Sequence, residues 1–195
     1  MEDKMDVFEA IKNRRSIRQY KTDPVDDKDV QKVLEAAHWA PSWGNQQCWR
    51  FIVVRDAKTK SEVADTISRV KIDNEWVENA AAKSIKQAPV LIVICAEKGK
   101  AGCGIDGAPL TDKGEYWYMF DIALAVENLT LAAHAIGLGT VIVGGFDAKK
   151  AAQILGVPEG YTVVTMTPLG VPDHKGQVSP RKQLSEVLYK EKFTG

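Results

Sequence analysis

The sequence predicts a layered domain of mixed α and β structure, with four strands among five or six helices. Its 195 residues suffice for one ordinary core, while a second independent domain would be cramped. Apolar residues make up 45% of the chain and charged residues 27%, which is typical of a globular protein and not of a disordered one. Segments with helical periodicity are interspersed with short runs of β-branched residues. We therefore expect a single domain over residues 1–195.

The first predicted helix begins after Asp6, which can cap it, with Glu9 three residues further on as in a capping box. The helix should end near Arg14 and Arg15, because cations stabilise the negative end of a helix dipole. Residues 18–20 then have an extended pattern. The apolar face of this helix consists of Val7, Phe8 and Ile11.

A second helix is predicted to begin at Asp26 or Asp27 and to stop before Pro41, since the residue that precedes a proline disfavours helix. Residues 42–45 form a predicted turn, and the β-rich residues 49–55 predict a buried strand. The apolar side of the second helix consists of Val30, Val33, Leu34 and Ala37.

The middle of the chain combines helical, strand and loop patterns. The region from Lys58 to Lys86 is predicted to be mostly helical. Val90 to Ala96 is continuously apolar, which is typical of a strand at the centre of a sheet. The glycine-rich segment from Glu97 to Gly114 predicts a long loop, and loops of this length tend to be lids or binding elements.

The longest predicted helix runs from Tyr116 to Ile136, with Gly137 as its C-cap. It is apolar on most sides and should therefore be a central core helix. After it we expect a strand at 140–143, a turn at Gly144-Gly145, a short helix capped by Asp147 and ending at Gly156, and a strand at 161–169. Pro168 predicts that the end of this last strand lies near a sheet edge.

The charge balance and the cysteines exclude several classes of protein. Lysine plus arginine and aspartate plus glutamate number 26 each, so the basic excess of a nucleic-acid-binding protein is missing. No apolar run is long enough to cross a bilayer, which takes ~20 residues. The cysteines Cys48, Cys95 and Cys103 have no metal-finger spacing, and their odd number suits a reducing cytoplasm. We expect a soluble cytoplasmic protein without a metal site, whose anionic ligands are small and bound by a local cluster.

The best candidate for such a cluster is the segment 14–18, at a transition from helix to extended chain. Guanidinium groups and a serine hydroxyl suit phosphate oxygens, and each charge-assisted bond contributes about 1.5–3 kcal/mol. Taken alone, the same segment is more typical of a solvated helix end whose cations complement their own dipole. The candidate ligands in it are Arg14, Arg15, Ser16 and Arg18.

Two further segments combine residue types that suit a flat heteroaromatic ligand. Side-chain amides at 41–49 could bind ring edges and the tryptophans could form an apolar wall, although the segment could also be a turn packed on the core. A second turn contains paired glycines, which permit either a tight turn or close approach of backbone N–H groups to a ligand. The candidate residues are Pro41, Ser42, Trp43, Asn45 and Gln47 in the first segment, and Val143, Gly144 and Gly145 in the second.

In this order, the segments resemble those of the FMN-dependent nitroreductase family. The family's R-R/H-S-x-R/K motif matches residues 14–18, its A-P-S-x-x-N-x-Q-P-W segment matches 40–49, and its I-G-G-F-type turn matches 143–146. A C-terminal basic segment, often R-K-P-L, resembles residues 181–184. The resemblance spans nearly the whole chain. Two positions depart from it: Cys48 stands where the family usually has proline, and Gly144 where some members carry glutamate.

The resemblance implies an α+β fold of three layers, in which helices flank a central, mostly antiparallel sheet and one long helix lies in the core. It implies one FMN-binding domain over residues 1–195 and an obligate homodimer with FMN at the subunit interface. Residues 14–18 would hold the flavin phosphate and polar edge from one subunit, with Arg181 as a further phosphate contact. Residues 41–47 would reach the flavin from the other subunit, and residues 143–145 would lie near its reactive edge.

The implied activity is an oxidoreductase with a ping-pong mechanism. NADH or NADPH would reduce the flavin and leave, and a nitroaromatic, a quinone or a similar acceptor would take its place. No catalytic side chain is expected, because the cofactor performs the chemistry, and Arg18 is the candidate for tuning the N1/C2 edge of the flavin. The alternatives are a divergent member (a reductive dehalogenase, a flavin-degrading or a ring-oxidising enzyme) and a flavin-binding dimer without enzymatic turnover.

Overall fold

The computed structural model describes residues 5–193, apart from the side chain of Glu115. Helices and strands are interspersed along this part of the chain. In chain order the helices are α1 (Val7–Asn13), α2 (Asp27–His38), α3 (Ala57–Ala64), α4 (Ala80–Gln87), α5 (Trp117–Ala135) and α6 (Ala148–Leu155). The strands are β1 (Trp49–Val54), β2 (Val70–Ile72), β3 (Glu75–Val77), β4 (Val90–Glu97), β5 (Gly139–Thr140) and β6 (Tyr161–Gly170).

The middle layer of the fold is a four-stranded sheet with the order β1-β4-β6-β5, and its strands pair antiparallel. Apolar side chains of the inner strand β4 point alternately to the two faces of the sheet. Both faces are therefore apolar, and each is covered by helices. One core, with α2 and α5, receives Val90, Ile92, Ile94 and Ala96. The other core, with α3, α4 and α6, receives Leu91, Val93 and Cys95. The expected three-layer α+β fold is confirmed, and so is the central apolar strand.

The long helix α5 packs against α2 and the sheet through one buried side, which includes Ile122, Val126 and Leu129. This confirms the predicted core helix. Its other side is less buried than the apolar composition suggested, since Met119 is 48% and Phe120 55% exposed in a single chain. The composition therefore reflects two apolar faces, of which one chain covers only one.

The helix ends follow their local signals. Asp6 caps α1 by accepting a hydrogen bond from the Phe8 N–H at 2.8 Å. Asp147 caps α6 by accepting from the Lys150 N–H at 3.0 Å. Gly137, with φ of 81°, follows α5 in the left-handed conformation that glycine adopts at helix C-termini. These three predicted caps are confirmed.

The prediction that residues 58–86 are mostly helical is wrong for residues 70–77. Strands β2 and β3 form an antiparallel hairpin there. Its two connecting residues, Asp73 and Asn74, have φ of 48° and 66°, as the two central residues of a type I′ turn require. Asp and Asn tolerate this conformation better than most residues, so the pair overrides the loose helical periodicity around it.

The strand expected at 140–143 is shorter than predicted. Regular pairing with β6 covers only Gly139 and Thr140 of this region. Val143 forms a separate bridge in which its N–H and C=O both bond to Met166, at 2.9 and 3.1 Å. Pro168, expected near a sheet edge, pairs with Leu91 of β4 on one side of β6 and lies just outside the two positions that pair with β5 on the other.

Within residues 5–193, no helix has both the length and the apolar composition needed to cross a membrane.

Candidate functional site

Residues 14–18, called the arginine segment below, lie along the free edge of β5. The Ile17 N–H donates to the Thr140 carbonyl at 2.8 Å, and Ser16 forms a parallel bridge with the same residue. The Ile17 side chain is buried against Gly139. Because side chains alternate along an extended segment, Ser16 and Arg18 lie on the side away from this packed contact. The sheet edge thus fixes the backbone that carries the candidate ligands.

A groove, called the arginine groove below, adjoins this segment. Its volume of about 810 Å³ is within the range of small-molecule sites. Cations dominate its wall, and none of the described residues that line it is acidic. An excess of unneutralised positive charge in a concave site favours a small anion. The charged or hydroxylated residues of the wall are Lys12, Arg14, Arg15, Ser16, Arg18, Ser179 and Arg181. All five predicted phosphate ligands, including Arg181, therefore line the same groove.

The arginines of the groove differ in their contacts. Arg15 Nη1 donates to the carbonyls of Lys12 and Arg14, both at 2.7 Å, so this guanidinium stabilises the C-terminus of α1. For Arg14 and Arg18, no hydrogen bond or ion pair from the guanidinium is found within residues 5–193. Arg181 donates only to the nearby Ser179 and Pro180 carbonyls, at 3.2 and 3.3 Å. The guanidinium donors of Arg14 and Arg18 thus remain available for a ligand. Arg15 instead bonds to the end of α1, as expected of a solvated helix end.

A second, smaller cavity of about 430 Å³ shares Arg18 with the groove and adds Lys83 of α4. The sequence contained only a weak signal for this lysine, which follows Asn79 at a spacing of four. Asn79 itself is occupied as the cap of α4, since it accepts from the Ala81 N–H at 2.9 Å and donates to the Ser68 carbonyl at 3.2 Å. Lys83 is therefore a candidate ligand outside the set of residues predicted from the sequence.

The turn after α2 has an unusual backbone. Residues 43–45 form a short 3₁₀ turn, and Gly44, Asn45 and Gln47 have φ of 49°, 58° and 48°. Ser42 Oγ accepts from the Gln47 N–H at 3.0 Å, and Gln47 Nε2 donates to Asn45 Oδ1 at 3.1 Å. None of the predicted ligands in this turn lines the arginine groove. Within one chain, the structure does not bring the two predicted halves of the site together.

A buried carboxylate that the sequence did not single out supports this turn. Both oxygens of Asp121 on α5 accept from the Trp43 N–H at 3.1 Å, and Cys48 Sγ lies 3.8 Å from Oδ2. Burial raises the pKa of the Asp121 carboxyl, while the bonds from Trp43 and Cys48 oppose the shift. Burial, and then the charge of Asp121, raise the pKa of the Cys48 thiol to about 12. Cys48 therefore carries its proton at neutral pH.

The paired glycines lie in open space. Gly144 and Gly145 are exposed, and a Cβ added to either would meet nothing within 4 Å. Neither glycine has a positive φ. Val143 is buried and bonded to Met166, so it fixes the start of this turn. Crowding and backbone conformation thus do not require the glycines, and close approach of a ligand to residues 143–145 stays a prediction.

His134 lies behind the arginine segment, in a mostly apolar cavity of about 490 Å³. Its Nε2 is buried and has no hydrogen-bond partner within the described part of the chain. Burial, followed by the charges of Arg14 and Arg15, lowers the pKa of this imidazole below its ordinary value. The arginine segment thus adds positive charge beside a histidine that is held neutral.

This histidine should make the protein sensitive to acid. Because the folded-state pKa of His134 lies below the unfolded-state value, the unfolded chain takes up the proton first as pH falls. The free energy of unfolding should therefore decrease below about pH 6.5. In His134→Gln the decrease should be smaller, as measured by urea denaturation at several pH values between 5 and 8. Equal pH dependence of the free energy of unfolding in wild type and His134→Gln would contradict the role of His134. His174→Gln, at an exposed position, is the control variant.

A sheet between two helical layers, with a cationic groove at its edge, defines an α+β protein whose groove suits a small anion. Comparison with known proteins gives a more specific result. Residues 11–171 match the nitroreductase family, and the chain belongs to that family. The sequence-based assignment to a nitroreductase-type oxidoreductase is thereby confirmed.

Individual relatives cover most of the chain. A protein of Archaeoglobus fulgidus, named as an NADH dehydrogenase or NAD(P)H nitroreductase, is 33% identical over 86% of this chain and 86% of its own. The 5,6-dimethylbenzimidazole synthase of Rhodospirillum rubrum is 29% identical over 88% of this chain and 84% of its own. The crystal structure of a nitroreductase family protein from Clostridium novyi NT has a TM-score of 0.74 at 30% identity, covering 89% of this chain and 90% of its own.

Proposed function

We propose that the protein is an FMN-dependent oxidoreductase that takes electrons from NADH or NADPH and passes them to a small organic acceptor such as a nitroaromatic or a quinone. One observation carries the FMN assignment: the groove at residues 12–18 is lined by cations without a carboxylate, and the guanidinium groups of Arg14 and Arg18 form no hydrogen bond or ion pair with the described residues. This donor set fits a phosphate group.

The roles of the groove residues follow from their contacts. Arg14, Ser16 and Arg18 would bind the phosphate and the polar edge of the flavin, and Arg181 would add a further phosphate contact. Arg15 would contribute positive potential, since direct contact with the ligand would cost it two hydrogen bonds to the end of α1. Arg18 also borders the cavity of Lys83, so it is the residue best placed to reach beyond the phosphate.

The remaining proposed contacts come from the two turns. Pro41, Ser42, Trp43, Asn45 and Gln47 would reach the flavin of the partner subunit, and the backbone at 143–145 would approach its reactive edge. When bound, FMN supplies the hydride and electron transfer, so no side chain of this chain need act as a general acid or base. The protein's part is to bind and orient the cofactor and to tune it electrostatically.

We further propose a homodimer with FMN at the subunit interface. Support comes from apolar surface that a single chain leaves exposed, because large exposed apolar patches mark interaction sites. These exposed residues lie on α1, on α5 and in the C-terminal segment: Val7, Phe8, Ile11, Met119, Phe120, Leu184, Val187, Leu188 and Phe193. The separation of the arginine groove from the 41–47 turn gives independent support, since a second copy could complete the site.

The dimer should depend on Phe8, whose side chain is 76% exposed on α1. Phe8→Glu places a charge in the proposed interface, where large aromatic side chains contribute strongly to binding. We expect the dimer dissociation constant to rise on the order of 10-fold or more. Analytical ultracentrifugation against the chain mass of 21.5 kDa measures it. Gln153→Glu on the exposed side of α6 is the matched control, and an unchanged dimer in Phe8→Glu would refute the role of α1.

The proposed location is the cytoplasm. All three cysteines are free and buried, which suits a reducing compartment. We also propose that residues 1–195 form one FMN-binding domain, in keeping with the two cores that share a single sheet.

Flavin content and turnover test the proposed function. We expect yellow protein that retains FMN and oxidises NADH or NADPH when a nitroaromatic or a quinone is supplied. A colourless protein that ignores added FMN would refute the cofactor. Halogenated phenols as acceptors would test for a dehalogenase. Retained FMN without any NAD(P)H oxidation would point to a flavin-binding dimer without turnover.

A second candidate function is favoured by the similarity to a 5,6-dimethylbenzimidazole synthase. The flavin-degrading alternative that the sequence left open would consume flavin instead of recycling it. Reduced FMN incubated with the protein in air distinguishes the two functions. Stable FMN absorbance over many turnovers supports the oxidoreductase, whereas progressive loss of the flavin spectrum supports the alternative.

A further inference from the structure

Asp121 is an acidic side chain buried beside the core that α2 and α5 form with the sheet. It is 1% exposed and lies on the first turns of α5, next to the core residue Ile122. Throughout residues 5–193, no lysine, arginine or histidine forms an ion pair with it. Burying an unpaired carboxylate is costly, and an apolar side chain of similar size would serve the packing at least as well. Packing alone therefore does not explain a carboxylate at this position.

Within residues 5–193, the hydrogen-bond partners found for Asp121 belong to the segment after α2. The Trp43 N–H donates to both carboxylate oxygens at 3.1 Å, and the Cys48 thiol lies 3.8 Å from Oδ2. These contacts bracket the turn at its start and at its end. Proline, the usual residue of the family at position 48, has no donor to offer, so the second contact is a property of this chain.

The segment between the two contacts is strained. Asn45 and Gln47 adopt left-handed backbone conformations that side chains other than glycine's rarely take, and such residues persist only where their surroundings over-determine them. A second contact with the same helix comes from the ring of Trp43, which packs on Trp117 with 4.9 Å between ring centroids. Trp117 lies one helical turn before Asp121. Helix α5 thus contacts Trp43 twice, through the Trp43 backbone N–H and through the Trp43 ring.

We propose that Asp121 is a positioning residue for flavin binding, whose buried carboxylate fixes the 42–47 turn in the strained conformation that presents Ser42, Asn45 and Gln47 to the ligand. The proposal rests on the proposed function, in which this turn contacts FMN. Asp121 would not touch the flavin itself. It lowers the cost of binding by holding in advance a conformation that the turn would otherwise have to adopt when the ligand arrives.

The test compares FMN affinity in variants that keep or remove the acceptor. Asp121→Ala should raise the FMN dissociation constant about tenfold, because neither end of the turn is then held. Asp121→Asn keeps one acceptor oxygen for the Trp43 N–H and should stay within about threefold of wild type. Cys48→Ala removes only the second donor and should also have a small effect. Visible circular dichroism of the bound flavin should change in Asp121→Ala and be restored in Asp121→Asn.

Leu129→Ala is the matched control, since it destabilises the same helix at a buried position away from the turn. All affinities are measured well below the melting temperature of each variant. Wild-type affinity and an unchanged flavin spectrum in Asp121→Ala would overturn the positioning role alone. An equal loss in Leu129→Ala would also overturn it, because the effect would then be general destabilisation. A wild-type protein that binds no FMN would overturn the proposed function and this role together.

Discussion

Arg18→Ala is expected to weaken FMN binding roughly 10- to 100-fold, the loss of one or two charge-assisted hydrogen bonds. The expectation follows from the position of Arg18 between the arginine groove and the cavity that contains Lys83. Its guanidinium makes no hydrogen bond or ion pair within residues 5–193, so the substitution removes neither kind of contact from the folded chain. Fluorescence titration of the apoprotein with FMN measures the dissociation constant.

Arg69→Ala is the control for charge and size. Arg69 Nη2 donates to the Trp76 carbonyl at 2.6 Å in the hairpin region and does not line the groove. Its replacement should leave FMN affinity unchanged. Full retention of FMN by a well-folded Arg18→Ala variant would refute the assignment of Arg18. The salt dependence of binding gives a second check, because losing a phosphate contact should make the affinity less sensitive to ionic strength.

The elements that the sequence predicted well have local causes. Residues 90–96 are apolar at every position, which is typical of a strand buried on both faces, and they form most of the inner strand β4. Caps at Asp6 and Asp147 depend on side chains that bond to the backbone two or three residues away. The segment at 14–18 combines a helix end with an extended stretch, and both are present.

The elements that were missed depend on contacts that are remote in sequence. Asp121 meets the Trp43 N–H across 78 residues, and nothing in the apolar pattern of α5 distinguishes it from a solvated helix residue. The different roles of Arg14, Arg15 and Arg18 depend on where each side chain lies relative to the last carbonyls of α1. Only the hairpin at 70–77 had a usable local signal, the Asp-Asn pair between two β-rich triplets.

The arginine segment and the sheet edge depend on each other at one position, Gly139. A Cβ added there would lie 2.8 Å from Ile17 Cγ1 and 2.9 Å from its Cβ and Cγ2, closer than carbon atoms can approach. Ile17 is buried and is flanked in sequence by Ser16 and Arg18. The close approach of this isoleucine to a glycine therefore sets the position of the proposed phosphate ligands.

Gly139→Ala is expected to destabilise the protein by about 1–3 kcal/mol, the usual cost of overpacking a buried contact. It should also weaken FMN binding by on the order of 10-fold, because displacing Ile17 strains the 2.8 Å bond from its N–H to Thr140 and moves Ser16 and Arg18 with it. Thermal or urea unfolding measures the first effect, and FMN titration the second.

A compensating substitution makes the prediction specific to the contact between these two residues. Ile17→Ala removes Cγ1 and Cγ2, two of the three atoms that an alanine at position 139 would meet. The double variant should therefore lose less stability than the sum of the two single losses, since residues in direct contact are not additive. Strict additivity, or a Gly139→Ala variant as stable as wild type, would mean that the edge of the sheet yields to the extra methyl group. The arginine segment would then owe its position to the hydrogen bond with Thr140 and not to the packing of Ile17.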